Sequence, residues 1–267
     1  MLIHTYMNKR YGMGLGDFIR GSISCYQLCS IYNIPLVIDL RHHDIGKYLD
    51  VPHDFRICQR HEIIDLQDIG KFTVACLKQQ LVRFHKDIRL LRNRNSYIYT
   101  NVWPRFPLSL KEKQFMQSML KPNSELEQAI QNSLPTHKEY EIIHIRSGDL
   151  FAFNTQIGET FERDVNALVD SISKVVNDIR MGTDRQLIIM SDSLQLKQIL
   201  AASLGVLSLY TTPAHTALEN SSLDTLIDFF VMTKAKHIHQ FSVQHWGSGF
   251  SNGISWIYDV PLTAYKV

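Results

Sequence analysis

The chain has 267 residues, 45% hydrophobic and 20% charged, with a formal net charge of +2. These are ordinary globular values, enough for one large or two medium domains with their own cores, and they exclude a disordered or collagen-like chain. The charge balance supplies no strong field toward nucleic acid or a membrane surface. Met1–Tyr6 lacks the charged and apolar segments of a signal peptide, and no run of about 18 apolar residues follows, so a soluble, cytoplasmic protein without a transmembrane segment is expected. Cys25, Cys29, Cys58 and Cys76 show neither CxxC nor zinc spacing; Cys25 and Cys29, four apart on a predicted helix, read as packed, reduced thiols, which fits a reducing compartment.

In chain order, Leu2–Tyr6 predicts a strand, Tyr11–Gly16 a glycine loop and Asp17–Tyr32 a helix with Phe18, Ile19 and Ile23 on its apolar side. Pro35–Leu40 predicts a second strand and Arg41–His61 an irregular stretch rich in His and Asp. Phe72–Phe84 predicts a helix and Ser96–Thr100 a strand; Pro104–Pro107 breaks the pattern. Ser124-Glu-Leu-Glu127 matches a capping box opening a helix to Leu134. Pro135–Glu139 is the best linker, which places domains at 1–135 and 136–267. The alternation then restarts. Strands are predicted at Glu141–Ile145, Gln186–Met190, Val206–Tyr210 and His237–Phe241. Helices are predicted at Phe161–Ile179, at Leu194–Leu204 ended by Gly205, around Leu223–Phe230 and at Trp246–Ile257. Alternating strands and helices imply α/β architecture: two Rossmann-like domains facing a central cleft, with ligand loops at the carboxyl ends of the strands.

Several loops carry chemistry. Ile142-Ile-His144-Ile-Arg146-Ser-Gly148-Asp149 runs from an apolar strand straight into charge, and a guanidinium there can fork onto two phosphate oxygens. An Arg146–Asp149 ion pair that merely ties the loop is the alternative. Gly12-Met-Gly14-Leu-Gly16-Asp17 links a strand to a helix, where glycines permit positive φ and the helix start favours anions. Its GxGxG spacing does not fit the dinucleotide fingerprint GxGxxG, although Asp39 at a strand end keeps an NAD-dependent oxidoreductase as an alternative. Ser191-Asp192 closes another strand, either as a helix cap or as a ligand contact. Ser242, His245, Gly247 and Ser248 follow a strand and open a helix, offering hydroxyls and backbone N–H groups to an anion. His42-His43-Asp44 lacks metal-ligand spacing, and the chain contains no DxD pair, so no metal is expected.

Taken together these segments resemble the superfamily of α1,2-, α1,6- and protein O-fucosyltransferases. His144–Asp149 is similar to its HxRxGD motif and Gly14–Arg20 to its amino-terminal glycine loop, with Asp17 in place of the usual Asn. Ile189–Asp192 is similar to its second motif. Leu226–Ser242, with Asp228 on a helix leading to a strand, and Trp246-Gly247 resemble its third. The resemblance spans residues 12 to about 257. It implies a GT-B fold and inverting, metal-independent transfer of fucose from GDP-fucose to a glycan hydroxyl, the nucleotide sugar being a substrate rather than a cofactor. It further implies that Arg146 holds the donor pyrophosphate, that His144 shapes the pocket, that Asp192 contacts the nucleotide, and that Ser242, His245, Gly247 and Ser248 wrap the phosphates. Gly14, Gly16, Gly148, Asp149 and Ser191 complete the expected donor loops. The general base is expected among Asp17, His42, His43 and Asp44. A different donor such as UDP-xylose, or a non-catalytic nucleotide- or glycan-binding module, are the other readings.

Overall fold

The computed structural model describes residues 1–7, 14–50, 62–66, 73–135, 139–146, 158–211, 221–242 and 247–267. They form two units: Met1–Glu125 with Trp256–Tyr258, and Leu126–Ser255 with Asp259–Val267. Each unit is built on its own parallel sheet.

The first unit runs β1 (Leu2–Met7), α1 (Leu15–Tyr32), β2 (Leu36–His42), β3 (Ile63–Leu66), α2 (Val74–His85), β4 (Ser96–Thr100) and α3 (Leu110–Met119). Its sheet order is β2-β1-β4-β3. Strand β4, Ser-Tyr-Ile-Tyr-Thr, is buried along its whole length, as expected of a parallel strand covered on both faces. Helix α1 lies directly on that strand. A Cβ on Gly21 would sit 1.9 Å from the Thr100 carbonyl oxygen, so only glycine permits this approach. Leu2, Leu28, Leu77, Leu81 and Ile98 form the core between sheet and helices, joined by the thiols of Cys25 and Cys29. Burial pushes the Cys29 thiol up to about 12, as the reading of inert packed cysteines requires. Cys58 lies outside the described residues.

Helix α4 (Ser124–Ser133) leads to the second unit, which runs β5 (Tyr140–Arg146), α5 (Gly158–Gly182), β6 (Gln186–Ser191), α6 (Leu194–Leu204), β7 (Leu207–Ser208), α7 (Ser221–Met232), β8 (His237–Ser242), α8 (Gly249–Tyr258) and β9 (Leu262–Lys266). The sheet order is β7-β6-β5-β8-β9. Helix α5 turns an apolar stripe to the sheet: Leu168, Ile172 and Val176 pack in one core with Ile143, Ile145, Ile189 and Phe241. Each buried branched side chain contributes roughly 1.5–3 kcal/mol relative to exposure. From β5 the chain winds outward through β6 to β7, then returns to β8 on the other side of β5. The strand order therefore reverses between β5 and β8, and the crevice beyond their carboxyl ends is where open α/β sheets bind ligands.

Some local expectations are corrected. The capping box lies at Ser109 and Glu112, opening α3, and not at Ser124. Ser124 is itself the first residue of α4. Strands β3 and β9 were not predicted; β3 is four residues long, too short for a periodic signal. The expected strand at Val206–Tyr210 is reduced to Leu207–Ser208.

Candidate functional site

Register brings three of the predicted segments together. Ile145 of β5 pairs with Ser191 of β6, and Arg146 with Ser242 of β8. Arg146, Ser191–Asp192 and Ser242 thus end three neighbouring strands at the point where the strand order reverses. Two helices, α6 and α8, start just beyond, and the positive ends of their dipoles favour anions at this edge.

Arg146 is the last residue of β5 rather than a loop residue. Its Nη1 donates to Asp192 Oδ2, and both side chains are largely covered, at 19% and 14% exposure. The predicted partner, Asp149, lies outside the described residues. Asp192 does not cap α6, because Ser193 does, its Oγ accepting from Leu196 N at 3.3 Å. Ser191 turns its hydroxyl inward to accept from Ser193 N at 3.1 Å. The carboxylate of Asp192 is left to orient the guanidinium.

Side chains two residues apart on a strand point the same way, so His144 and Arg146 share a face with their register partners Gln240 and Ser242. His144 is 5% exposed. Its Nδ1 lies 3.0 Å from Ser251 Oγ, which also accepts from Gln240 Nε2 at 2.7 Å. Ser251 Oγ thus links the His144 ring to the Gln240 amide. Burial pushes the His144 pKa down to about 4; the charge of Asp192 opposes this, and that of Arg146 adds to it. His144 is therefore a neutral ring near neutral pH.

Gln240 also donates to Asn252 Oδ1 at 3.0 Å and so ties the start of α8 to the sheet. This explains Gly247. It adopts φ +75°, and a Cβ there would meet Gln240 Oε1 at 2.2 Å. Ser248 is buried and caps α8, its Oγ accepting from Phe250 N at 3.3 Å. Gly148, Asp149 and His245 lie outside the described residues.

In the first unit, Gly14 is the N-cap of α1 but has φ −67° and makes no side-chain cap bond. A Cβ there would meet nothing within 4 Å. The positive φ expected of this loop is absent at Gly14; Gly16 is buried inside α1. Asp17 sits in the first helical turn without capping it and takes a hydrogen bond from Arg20 Nη2. The Arg20 guanidinium lies 4.2 Å from the centre of the Trp103 ring, a contact that nothing in the local sequence announced. After β2, Asp39 is fully buried and holds Arg41 through Nε at 2.8 Å and Nη2 at 3.1 Å. An aspartate engaged in this way is poorly placed to read a ribose, which removes the residue that supported a dinucleotide reading. His42 Nε2 is 3.8 Å from Asp39 Oδ2. His43 stacks on Tyr6 at 3.8 Å, and Asp44 receives Lys47 Nζ at 2.8 Å.

Acid should weaken the fold in a defined way. Burial holds His144 and His43 down to about 4 and His4 to about 3. Depressed below their unfolded values near 6.5, these groups favour the neutral fold. That stability is complete above about pH 6.5 and is lost as pH falls toward 4. The urea midpoint is expected to drop between about pH 7 and pH 5, and His144→Gln should shrink the drop. A drop of the same size in the parent chain and in His144→Gln would show that this ring is solvated.

Among the described residues, no group of three or more His, Cys, Asp or Glu is placed to hold a metal ion, and no helix is long and apolar enough to cross a membrane. No protein-family model and no curated protein sequence matches the chain. Solved structures do resemble it. The α-1,6-fucosyltransferase NodZ co-crystallised with GDP aligns over 99% of this chain and 94% of that one, with a TM-score of 0.60 and 10% identity. NodZ soaked with GDP-fucose aligns over 96% and 91%, with a TM-score of 0.57 and 11% identity. NodZ from Bradyrhizobium aligns over 95% and 91%, with a TM-score of 0.56 and 12% identity. At such identity the likeness speaks to the fold: the chain has the GT-B fold of these transferases.

Proposed function

We propose that the protein is a glycosyltransferase that moves fucose from GDP-fucose to a glycan hydroxyl, with inversion and without a divalent metal. The observation that carries this reading is the convergence of Arg146, Asp192 and Ser242 at the carboxyl ends of three adjacent strands, beside two helix starts. Breaking the bond to the sugar expels a nucleoside diphosphate, and negative charge grows on the leaving phosphate. Fixed cations and N–H dipoles at that position stabilise the charge most in the transition state. A guanidinium carries five N–H donors, so pairing with Asp192 and gripping two phosphate oxygens are compatible. NodZ is crystallised with GDP and soaked with GDP-fucose, which favours a guanine nucleotide over a UDP-pentose for a chain of the same fold.

In this reading the donor binds the carboxyl-terminal unit, where Arg146, Ser191–Asp192 and the Ser242–Ser248 segment lie. The acceptor binds the amino-terminal unit. The acceptor hydroxyl must lose a proton, and Asp17, His42, His43 and Asp44 differ in fitness for accepting it. His43 is the poorest: its Nδ1 accepts from Ile45 N at 3.2 Å, and burial holds its pKa at about 4. Asp17 and Asp44 offer carboxylates, each braced by a cation.

A thermal-shift panel of GDP, UDP, NAD and CMP tests the donor. At about 100 times its Kd a nucleotide adds about 2.7 kcal/mol of stability, and GDP is expected to give the largest shift. A larger shift with NAD would sink the transferase reading, and one with UDP would change the donor. The initial rate of GDP release from GDP-fucose should be unaffected by saturating EDTA. Complete loss restored by Mg²⁺ or Mn²⁺ would assign the leaving-group charge to a metal instead.

A further inference from the structure

The segment after β2 borders an open pocket of about 350 Å³, lined among the described residues by Leu40, Arg41, His42, His43, Asp44, Gly46 and Lys47. That is the lower end of the size range of small-molecule sites. The donor machinery described above lies elsewhere, in the second unit.

The wall chemistry narrows the occupant. Arg41 is held by the buried carboxylate of Asp39 through two hydrogen bonds. Lys47 reaches Asp44 at 2.8 Å. Each of these two cations is paired with a carboxylate, Arg41 with Asp39 beneath the lining and Lys47 with Asp44 on it, which weakens their pull on an anion. The lining is nonetheless dense in polar groups, which suits a ligand of many hydroxyls. His43 adds a directed donor. Its ring lies flat on Tyr6, 3.8 Å between centroids with 3° between planes, and Tyr6 stacks in turn on Phe18 at 4.3 Å. This column fixes the ring plane. Because Nδ1 accepts the Ile45 N–H, the ring proton is on Nε2. The imidazole is therefore a rigid, neutral N–H donor, while the Asp44 carboxylate, braced by Lys47, is an acceptor for hydroxyl protons.

We propose that this pocket is the acceptor subsite and holds one uncharged hexopyranose ring, with His43 donating to a ring or hydroxyl oxygen and Asp44 accepting from hydroxyls. The inference rests on the transferase reading for its biological meaning but not for its test, because sugar binding is measured without donor.

The experiment titrates the full chain with D-glucose, D-galactose and N-acetyl-D-glucosamine by saturation-transfer difference NMR, with D-glucuronate and inorganic phosphate as anionic comparisons. At least one neutral hexose is expected to bind with a Kd of about 1 mM, and Asp44→Asn and His43→Phe should each weaken it roughly tenfold. His43→Phe keeps an aromatic ring on Tyr6. Should that variant fail to fold, Asp44→Asn carries the test alone. The affinity for GDP, titrated separately, should be unchanged in both. The proposal is overturned if none of the three hexoses binds, if glucuronate or phosphate binds more tightly, or if both substitutions leave hexose binding intact. A chain that binds hexose here but no GDP would keep the subsite and lose the fucosyl-transfer reading. One that binds GDP but no hexose would do the reverse.

Discussion

Arg146→Lys is expected to slow GDP release from GDP-fucose by roughly 10²–10³-fold, the usual cost of losing one preorganised donor at a developing anion. Water serves as the acceptor in this assay, so no glycan need be known. Lysine keeps the charge and can still pair with Asp192, so the melting temperature should hold. What disappears is the planar fork that presents two N–H groups to two phosphate oxygens at once. The geometry raises the stakes. Asp192 Oδ2 takes Nη1, and both groups are largely covered, so the guanidinium is held in one orientation before any ligand arrives. The flexible ammonium of lysine has no equivalent orientation to inherit. Near-normal turnover in a folded Arg146→Lys variant would remove Arg146 from the leaving-group site.

The second large effect concerns stability and a cluster away from that site. Lys197 of α6 is 2% exposed. Its Nζ donates to the Leu209 carbonyl at 3.0 Å and to that of Thr211, whose hydroxyl donates to Asp228 Oδ1 at 2.6 Å. Asp228 lies in α7 and is itself 2% exposed. Burial pushes its carboxyl up to about 7; the Thr211 hydrogen bond and the charge of Lys197 pull it down, and Asp224 adds to the rise. Lys197→Met removes the cation and leaves two carbonyls and a buried carboxylate without it. Leaving a buried polar group without its partner typically costs about 1–3 kcal/mol, and a urea denaturation curve near pH 8 should show a loss of a few such increments. The cluster also has a pH signature. A carboxyl raised above its unfolded value favours the protonated fold. Its contribution is complete below about pH 4 and is lost as pH rises through about 7. Asp228→Asn keeps an oxygen for Thr211 but cannot ionise, so it should flatten this part of the stability profile and gain on the parent chain above pH 7. Equal losses for Lys197→Met at pH 5 and pH 8 would show that packing, not charge, is what Lys197 provides.

The two predictions bracket how far local reasoning reaches. The run Ile142–Ile145 followed by Arg146 identified both a buried parallel strand and a cation at its end, since each is written in consecutive residues. The same holds for α5, whose apolar residues repeat at helical spacing, and for α6, which stops at Gly205 in the left-handed conformation. Helix α3 was legible but passed over. Pro104–Pro107 drew attention as a break, while Ser109 and Glu112, three residues apart, carried the capping signal. Strand β9 stands at a sheet edge with exposed Thr263, Ala264 and Lys266, and so lacks the apolar run that marks a buried strand.

The sequence by itself determined the α/β class, most of the elements and the loops that bear chemistry. It did so because periodicity, caps and strand-end residues act over a few positions. Tertiary structure alone decided which loops meet. Nothing near Arg146 in sequence reveals that its partner is Asp192, 46 residues away, or that Ser242 ends the adjoining strand. Nor does local pattern show that Lys197 is buried against the Thr211–Asp228 pair, since a lysine on a helix ordinarily faces water. Strand order decides these matters. It is set by long-range pairing of the β5–β8 sheet, whose free energy depends on which apolar faces pack together and not on any window of consecutive residues.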